Sequence, residues 1–202
     1  GKTWVPVDTI TGAGLGDGEP ILSADVAPNG SVFLVSWTYD SFPKLWRSDD
    51  HGQTWNFVSY IPYDVGSDGA EEDVIGLVAL GDSTLVSVLS TEWGLDLDSL
   101  LCFVSFDGGQ TWEKRGEVDP SLQGYICDPA MDLAFDSTGV LWVAVWGAEN
   151  DYSTQRVRVY SSSDLGWTWN QVQTFNAAYG SSWMNNYLSY TISVTGYHYI
   201  AF

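Results

Sequence analysis

The chain has 202 residues, with 26 acidic against 7 basic side chains, a net charge of −19 and a pI near 4.1. A surface this acidic repels phosphate backbones and argues against nucleic acid as a partner. Hydrophobic residues make up 45%, with 11 Trp and 11 Tyr, which suits a packed core rather than disorder, and no apolar run reaches membrane-spanning length.

Read from the N-terminus, Gly1-Lys2-Thr3-Trp4 is a fragment that gains meaning only further along. Ile21–Trp37 sets two apolar runs around Pro28-Asn29-Gly30-Ser31, which predicts a β-hairpin because Asn and Gly reach positive φ. A third strand over Lys44–Ser48 and a fourth over Trp55–Ile61 flank Ser48-Asp49-Asp50-His51-Gly52-Gln53-Thr54-Trp55. The set then recurs. Val74–Ser90 turns at Gly81-Asp82-Ser83, and Leu100–Ser105 and Trp112–Val118 flank Ser105-Phe106-Asp107-Gly108-Gly109-Gln110-Thr111-Trp112. Ala130–Val145 turns at Asp136-Ser137-Thr138-Gly139, and Arg156–Ser161 and Trp169–Phe175 flank Ser162-Ser163-Asp164-Leu165-Gly166-Trp167-Thr168-Trp169. Tyr187–Phe202 reads as the opening hairpin of another copy, turning at Thr195-Gly196.

Three copies of Ser-x-Asp-x-Gly-x-Thr-Trp, hereafter the box, therefore recur every 57 residues, and Gly1–Trp4 matches the tail of a fourth. An even period of this size marks a solenoid or propeller. Four antiparallel strands per copy, with no 3.6-residue apolar stripe, select the β-propeller. The expected organisation is all-β, a single partial propeller over residues 1-202. It has complete blades at 20-61, 73-118 and 128-175, the last strand of a preceding blade within 1-19, and the first two strands of another within 186-202. That makes fifteen strands, one short of completing the split blade. The unfinished edge is a template for strand sharing, with another copy or with the rest of a longer chain.

Within each box the residue types suit a locked turn. The carboxylates of Asp50, Asp107 and Asp164 are expected to accept turn amides, and Gly52, Gly109 and Gly166 to take positive φ. Ser48, Ser105, Ser162, Thr54, Thr111 and Thr168 are expected to bond locally, with Trp55, Trp112 and Trp169 filling apolar planes between blades. The pattern resembles the Asp-box, or bacterial neuraminidase repeat, over essentially the whole chain. That resemblance implies a propeller with its boxes on the outer rim, away from any active site. Sialidases of this type grip the substrate carboxylate with three arginines, one in an Arg-Ile-Pro motif, beside an acidic proton donor and a Tyr–Glu couple. Arg-Ile-Pro does not occur here. Arg47 and Arg115 adjoin boxes and Arg156 and Arg158 share one strand, so the triad cannot be assembled from this chain.

Chemistry is expected on the face opposite the boxes, where long connections gather carboxylates beside Trp37, Tyr39, Trp93, Tyr152 and Trp183. Flat rings stack on sugars and carboxylates accept their hydroxyl hydrogens, so a glycan, or a protein, is the expected ligand. A two-carboxylate glycosidase centre has its candidates in Asp128 and Asp132, with Asp73 and Asp25 as partners. Asp64, Asp68, Glu71 and Asp73 are candidate calcium ligands in a glycine-containing loop, the alternative being a solvated acidic loop, and no other cofactor is indicated. Cys102 and Cys127 are candidates for a disulfide, the alternative being two small buried thiols. The leading expectation is a non-catalytic extracellular or cell-surface propeller that binds glycans or proteins, or assembles through its open edges. The alternative is part of a sialidase-like or other glycoside hydrolase propeller using central-face carboxylates.

Overall fold

The computed structural model describes residues 21–38, 41–62, 71–93, 96–120, 125–126, 131–148, 155–176, 189–192 and 198–201. Its elements are all strands. The first blade is the antiparallel meander β1 (Ile21–Val26), β2 (Val32–Thr38), β3 (Ser41–Ser48) and β4 (Asn56–Tyr60). The second is β5 (Glu71–Ala79), β6 (Leu85–Trp93), β7 (Asp96–Ser105) and β8 (Glu113–Glu117). After the two-residue β9 (Tyr125–Ile126), the third blade is β10 (Met131–Phe135), β11 (Leu141–Ala148), β12 (Gln155–Ser162) and β13 (Asn170–Asn176). A hairpin of β14 (Ser189–Ile192) and β15 (His198–Ala201) follows.

Two points depart from the sequence expectation, and a third expectation falls outside the described residues. The described strands also number fifteen, but the strand expected within 1-19 lies outside the described residues, and β9 takes its place in the count. Ile126 pairs with both Asp96 of β7 and Ala148 of β11, so β9 fuses the second and third blades into one nine-stranded sheet. A two-residue strand is too short to leave a periodic signal. The second blade is also longer than expected. Glu71–Asp73, Thr91–Trp93 and Asp96–Ser99, assigned to loops, lie in strands, with Glu71 opposite Glu92 and Asp73 opposite Ser90. Ladder hydrogen bonds use backbone groups, so polar side chains need not end a strand.

The blades pack face to face, and strand alternation decides which side chain serves which neighbour. On β7, Leu101 and Phe103 point back to the first blade, joining Phe33, Val35, Leu45 and Ile61. Leu100, Cys102 and Val104 point forward to Leu141, Val143 and Val145 of the third. Period-two geometry thus lets one strand feed two cores. Each fully buried aliphatic side chain contributes about 1.5–3 kcal/mol.

Two further devices hold neighbouring blades. The inner strands β1, β5, β10 and β14 adjoin in turn. β5 is the edge strand of its blade, and two of its N–H groups are capped from the first blade: Leu77 donates to Ser23 Oγ at 3.0 Å and Ala79 to Asp25 Oδ2 at 2.8 Å. Gly76 lets β10 approach, since a Cβ there would lie 2.6 Å from that of Leu133. On the rim, the boxes of the second and third blades each seat on the blade before. A Cβ on Gly109 would lie 2.0 Å from Leu45 Cδ2, and one on Gly166 would lie 2.2 Å from Cys102 Sγ. Leu45 and Cys102 are themselves 57 residues apart.

The Gly166 contact also corrects the disulfide expectation. Cys102 sits within β7 as a free buried thiol under the third box. Burial pushes this thiol up to about 12. Cys127 lies outside the described residues.

The seated glycines can be separated from ordinary turn glycines. Gly109 and Gly166 have φ of 89° and 84°, whereas Gly139, at 92°, has nothing within 4 Å of the position a Cβ would take. Gly139→Ala should cost the left-handed strain alone, about 1–2 kcal/mol. Gly109→Ala and Gly166→Ala should cost about 2–5 kcal/mol, because overpacking adds about 1–3. Urea unfolding of the three variants measures this; equal losses would contradict the seating.

Candidate functional site

The boxes form as their residue types dictate. In the first, Asp50 Oδ1 accepts the Ser48 hydroxyl at 2.7 Å and the Thr54 amide at 2.8 Å, and Oδ2 accepts the Thr54 hydroxyl at 2.7 Å. Ser48 Oγ in turn accepts the Gly52 amide at 2.8 Å. The same bonds recur around Asp107 and Asp164. Trp112 packs against the first core and donates its indole N–H to Ser59 Oγ of the first blade, while that hydroxyl donates to Gly109 O. One period on, Gly116 replaces the serine, and Trp169 donates instead to Gly166 O at 3.2 Å. Hydrogen bonds led by the threonine hydroxyls hold Asp50 and Asp107 down at about 2 and lower Asp164. Ionised acceptors so fully engaged are turn locks.

A second kind of Asp-locked turn was not singled out from sequence. Asp136 Oδ1 accepts the Thr138 amide and hydroxyl and the Val140 amide, and Oδ2 accepts the Trp142 indole N–H at 2.9 Å. Burial would raise this carboxyl, yet the bonds from Thr138, Trp142 and Val140 hold it at about 2. The Asp-Ser-Thr-Gly turn signal was visible, but the indole partner six residues on was not.

The arginines serve joints and rim. Arg47 pairs with Asp49 at 2.7 Å and lies 5.5 Å from the Phe33 ring. Arg115 pairs with Glu113 at 2.9 Å and stacks 4.7 Å from the Trp167 ring of the next blade. Arg156 and Arg158 lie on β12, whose Tyr160 donates to Asp119 Oδ2 at 2.8 Å across the second joint. Burial, then the bond to Asp119, pushes that phenol up and keeps it neutral. Among the described residues, no arginine cluster of the sialidase kind forms at the opposite end.

That opposite end is acidic by placement. β5 opens with Glu71, Glu72 and Asp73, Glu92 lies across from Glu71, and β7 opens with Asp96 and Asp98. β9 returns to this end between the second and third blades, and only residues 127–130 separate it from inner strand β10. Asp128 falls in that span and lies outside the described residues.

Of the other candidates, Asp25 is spoken for: Oδ1 accepts the Val26 amide at 2.8 Å and Oδ2 the Ala79 amide. Asp132 Oδ1 accepts the Leu133 amide at 2.9 Å and stands, like Ser23, fourth from the end of its inner strand. Trp37 and Trp93 fall near the ends of β2 and β6, whereas Tyr39, Tyr152 and Trp183 lie outside the described residues. So do Asp64 and Asp68, while Glu71 and Asp73 belong to β5. Among the described residues, no three His, Cys, Asp or Glu side chains gather as metal ligands. No described helix is long and apolar enough to cross a membrane.

No family model matches the chain. A curated relative, xyloglucanase Xgh74A of Acetivibrio thermocellus, is 27% identical over 194 residues, covering 85% of this chain and 22% of its own length. Penicillium chrysogenum α-L-arabinanase, solved with arabinobiose, superimposes with a TM-score of 0.60 at 17% identity, over 89% of this chain and 56% of its own. The Hadza microbial sialidase Hz136 gives 0.52 at 20% identity, over 74% of this chain and 32% of its own. These are β-propeller glycosidases, and the likeness shows the same fold. The chain therefore spans about a fifth (22%) of the curated relatives it matches, and about half (56%) of the arabinanase.

The locked carboxylates set an acid limit on the fold. Asp50, Asp107 and Asp136 titrate at about 2 when folded, against about 3.9 in an unfolded chain. Folded pKa values below the unfolded ones stabilise fully above about pH 4 and lose that contribution as pH falls toward about 2. Melting temperature should be steady at neutral pH and drop across that window, with a shallower drop for Asp136→Asn. An unchanged melt from pH 4 to 2 would count against the locks.

Proposed function

We propose that this chain is part of an extracellular glycoside-hydrolase propeller acting on a neutral polysaccharide. The observation that carries this reading is the acidic end of the second blade, Glu71–Asp73 with Glu92, Asp96 and Asp98, set opposite the boxes and bordered by β9. The glycosidase neighbours and the xyloglucanase relative support a glycan substrate. A net charge of −19, with Arg47 and Arg115 engaged on the rim, favours an uncharged sugar over an anionic one. Asp25 and Asp132 accept backbone amides, which leaves Asp73 and Asp128, on neighbouring inner strands or leading into them, as the acid and base. Trp37, Tyr39, Trp93, Tyr152 and Trp183 would stack on the sugar rings.

Hydrolysis of xyloglucan, arabinan and a sialylated substrate by the whole chain tests this reading. Asp73→Asn and Asp128→Asn should each lower kcat by about 10²–10⁴-fold with little change in KM. Asp132→Asn should lower the melting temperature more than the rate. Oligosaccharide binding without any turnover would replace the catalytic reading with a binding one. Release of sialic acid would remove the preference for neutral sugars.

A further inference from the structure

Three positions of the repeat depart from their counterparts together, and they meet at one joint. The residue after the box Ser is Asp49, Phe106 and Ser163 in turn, and the residue after the box Gly is Gln53, Gln110 and Trp167. The third residue past the box Trp is Val58, Arg115 and Val172. The second joint brings together Phe106 and Arg115 of the second blade with Trp167 of the third. The corresponding places at the first joint hold Asp49, Val58 and Gln110, none of them aromatic.

The guanidinium carbon of Arg115 lies over both rings, 5.3 Å from the centre of Phe106 and 4.7 Å from that of Trp167. Its side chain is only 10% exposed, with Nη2 on Glu113 Oε2, and its buried Nε finds no acceptor among the described residues. Yet the rings themselves are half open, Phe106 at 51% and Trp167 at 50% exposure. A guanidinium buried beside two half-open rings fixes them in place without hiding them. The Trp167 backbone is pinned as well, since a Cβ on Gly116 would lie 2.7 Å from Trp167 O. Trp46, Trp112, Trp142 and Trp169 donate their indole N–H to protein acceptors, whereas that of Trp167 has none among the described residues. The Glu113 carboxylate beside them is 53% exposed.

Two ring faces, a free N–H and a half-open carboxylate on a rigid frame match the chemistry of a neutral sugar. Rings stack on its C–H face, and its hydroxyls accept from the N–H and donate to the carboxylate. A cationic ligand is disfavoured because Arg115 already occupies the ring faces it would use. An anionic one is opposed by Glu113 and by the net charge of −19. Preorganised rings lower the cost of ordering on binding.

We propose that Phe106, Trp167 and Glu113 form a non-catalytic binding site for a neutral polysaccharide at the box end of the second joint, with Arg115 as the residue that positions both rings. The site lies opposite the acidic end and gives the polymer a second hold. It extends the glycan reading to a new surface, and it rests on that reading for the class of polymer.

Affinity electrophoresis of the whole chain through gels containing xyloglucan, arabinan or polygalacturonate tests it. The wild type should be retarded by at least one neutral polymer, and more than by the anionic one. Trp167→Gln and Phe106→Ser install residues that other boxes of this chain carry at those places, so the turns should form. In each, the dissociation constant read from the retardation should rise at least about tenfold. Either variant suffices should the other fail to fold. Arg115→Lys keeps the charge but loses the flat stack, so a folded Arg115→Lys protein should also bind more weakly; retardation equal to wild type would remove its positioning role. A wild type unretarded by both neutral polymers overturns the proposal. So does a Trp167→Gln protein retarded like wild type, or stronger retardation by polygalacturonate. Hydrolysis accompanied by retardation that ignores Trp167 counts against this site alone. Trp167-dependent retardation without hydrolysis supports it and counts against the catalytic reading alone.

Discussion

The blade joint on which much of this structure rests is the contact between a box glycine and the third strand of the preceding blade. Gly109 against Leu45 and Gly166 against Cys102 leave no room for a Cβ, and both glycines stand at positive φ, where L side chains are strained. The box Asp holds the turn in shape, the box Ser ties it to the glycine amide, and the Trp fills the layer behind. A turn that looks like a local motif is thus half of a tertiary interface. The period matches this: the second and third boxes each meet a socket one blade back, and the two sockets stand at the same 57-residue interval.

The strong negative charge divides into two populations with different physics. Box and hairpin carboxylates at one end are saturated by hydroxyl, amide and indole donors, which stabilise the ionised form. Carboxylates at the other end, along the openings of β5 and β7, occupy positions where no turn motif calls for them. Asp25 belongs to neither group, since it caps an inner-strand amide of the next blade. The arginines follow the same division, with Arg47 and Arg115 consumed by carboxylates and rings at the box end.

Much of the scaffold was legible from residues 20-61, 73-118 and 128-175, because hairpin turns and boxes announce themselves locally. The roles of Ser48, Asp50, Gly52 and Thr54 follow from side-chain donors and acceptors four residues apart or less. The lock at Asp136 escaped, since its indole partner is reached only after β11 begins. β9 escaped because two residues carry no periodicity, yet it joins two blades. Glu71, Glu92 and Asp96 read as loop residues because acidic side chains signal solvent, whereas ladder pairing depends on backbone groups that composition does not report.

The sequence by itself determined the repeat, its period, the strand order within each blade and the structural nature of the boxes, because each depends on short-range hydrogen bonding and period-two alternation. Tertiary structure alone decided which blade face each side chain serves, that Cys102 lies beneath a glycine instead of in a disulfide, and that Asp25 caps Ala79 54 residues away. It also decided that Phe175 stays exposed while its counterparts Ile61 and Val118 are buried. The physical reason is that burial belongs to a pair of surfaces. One strand's pattern names the apolar side chains, but only the neighbouring blade determines whether they are covered.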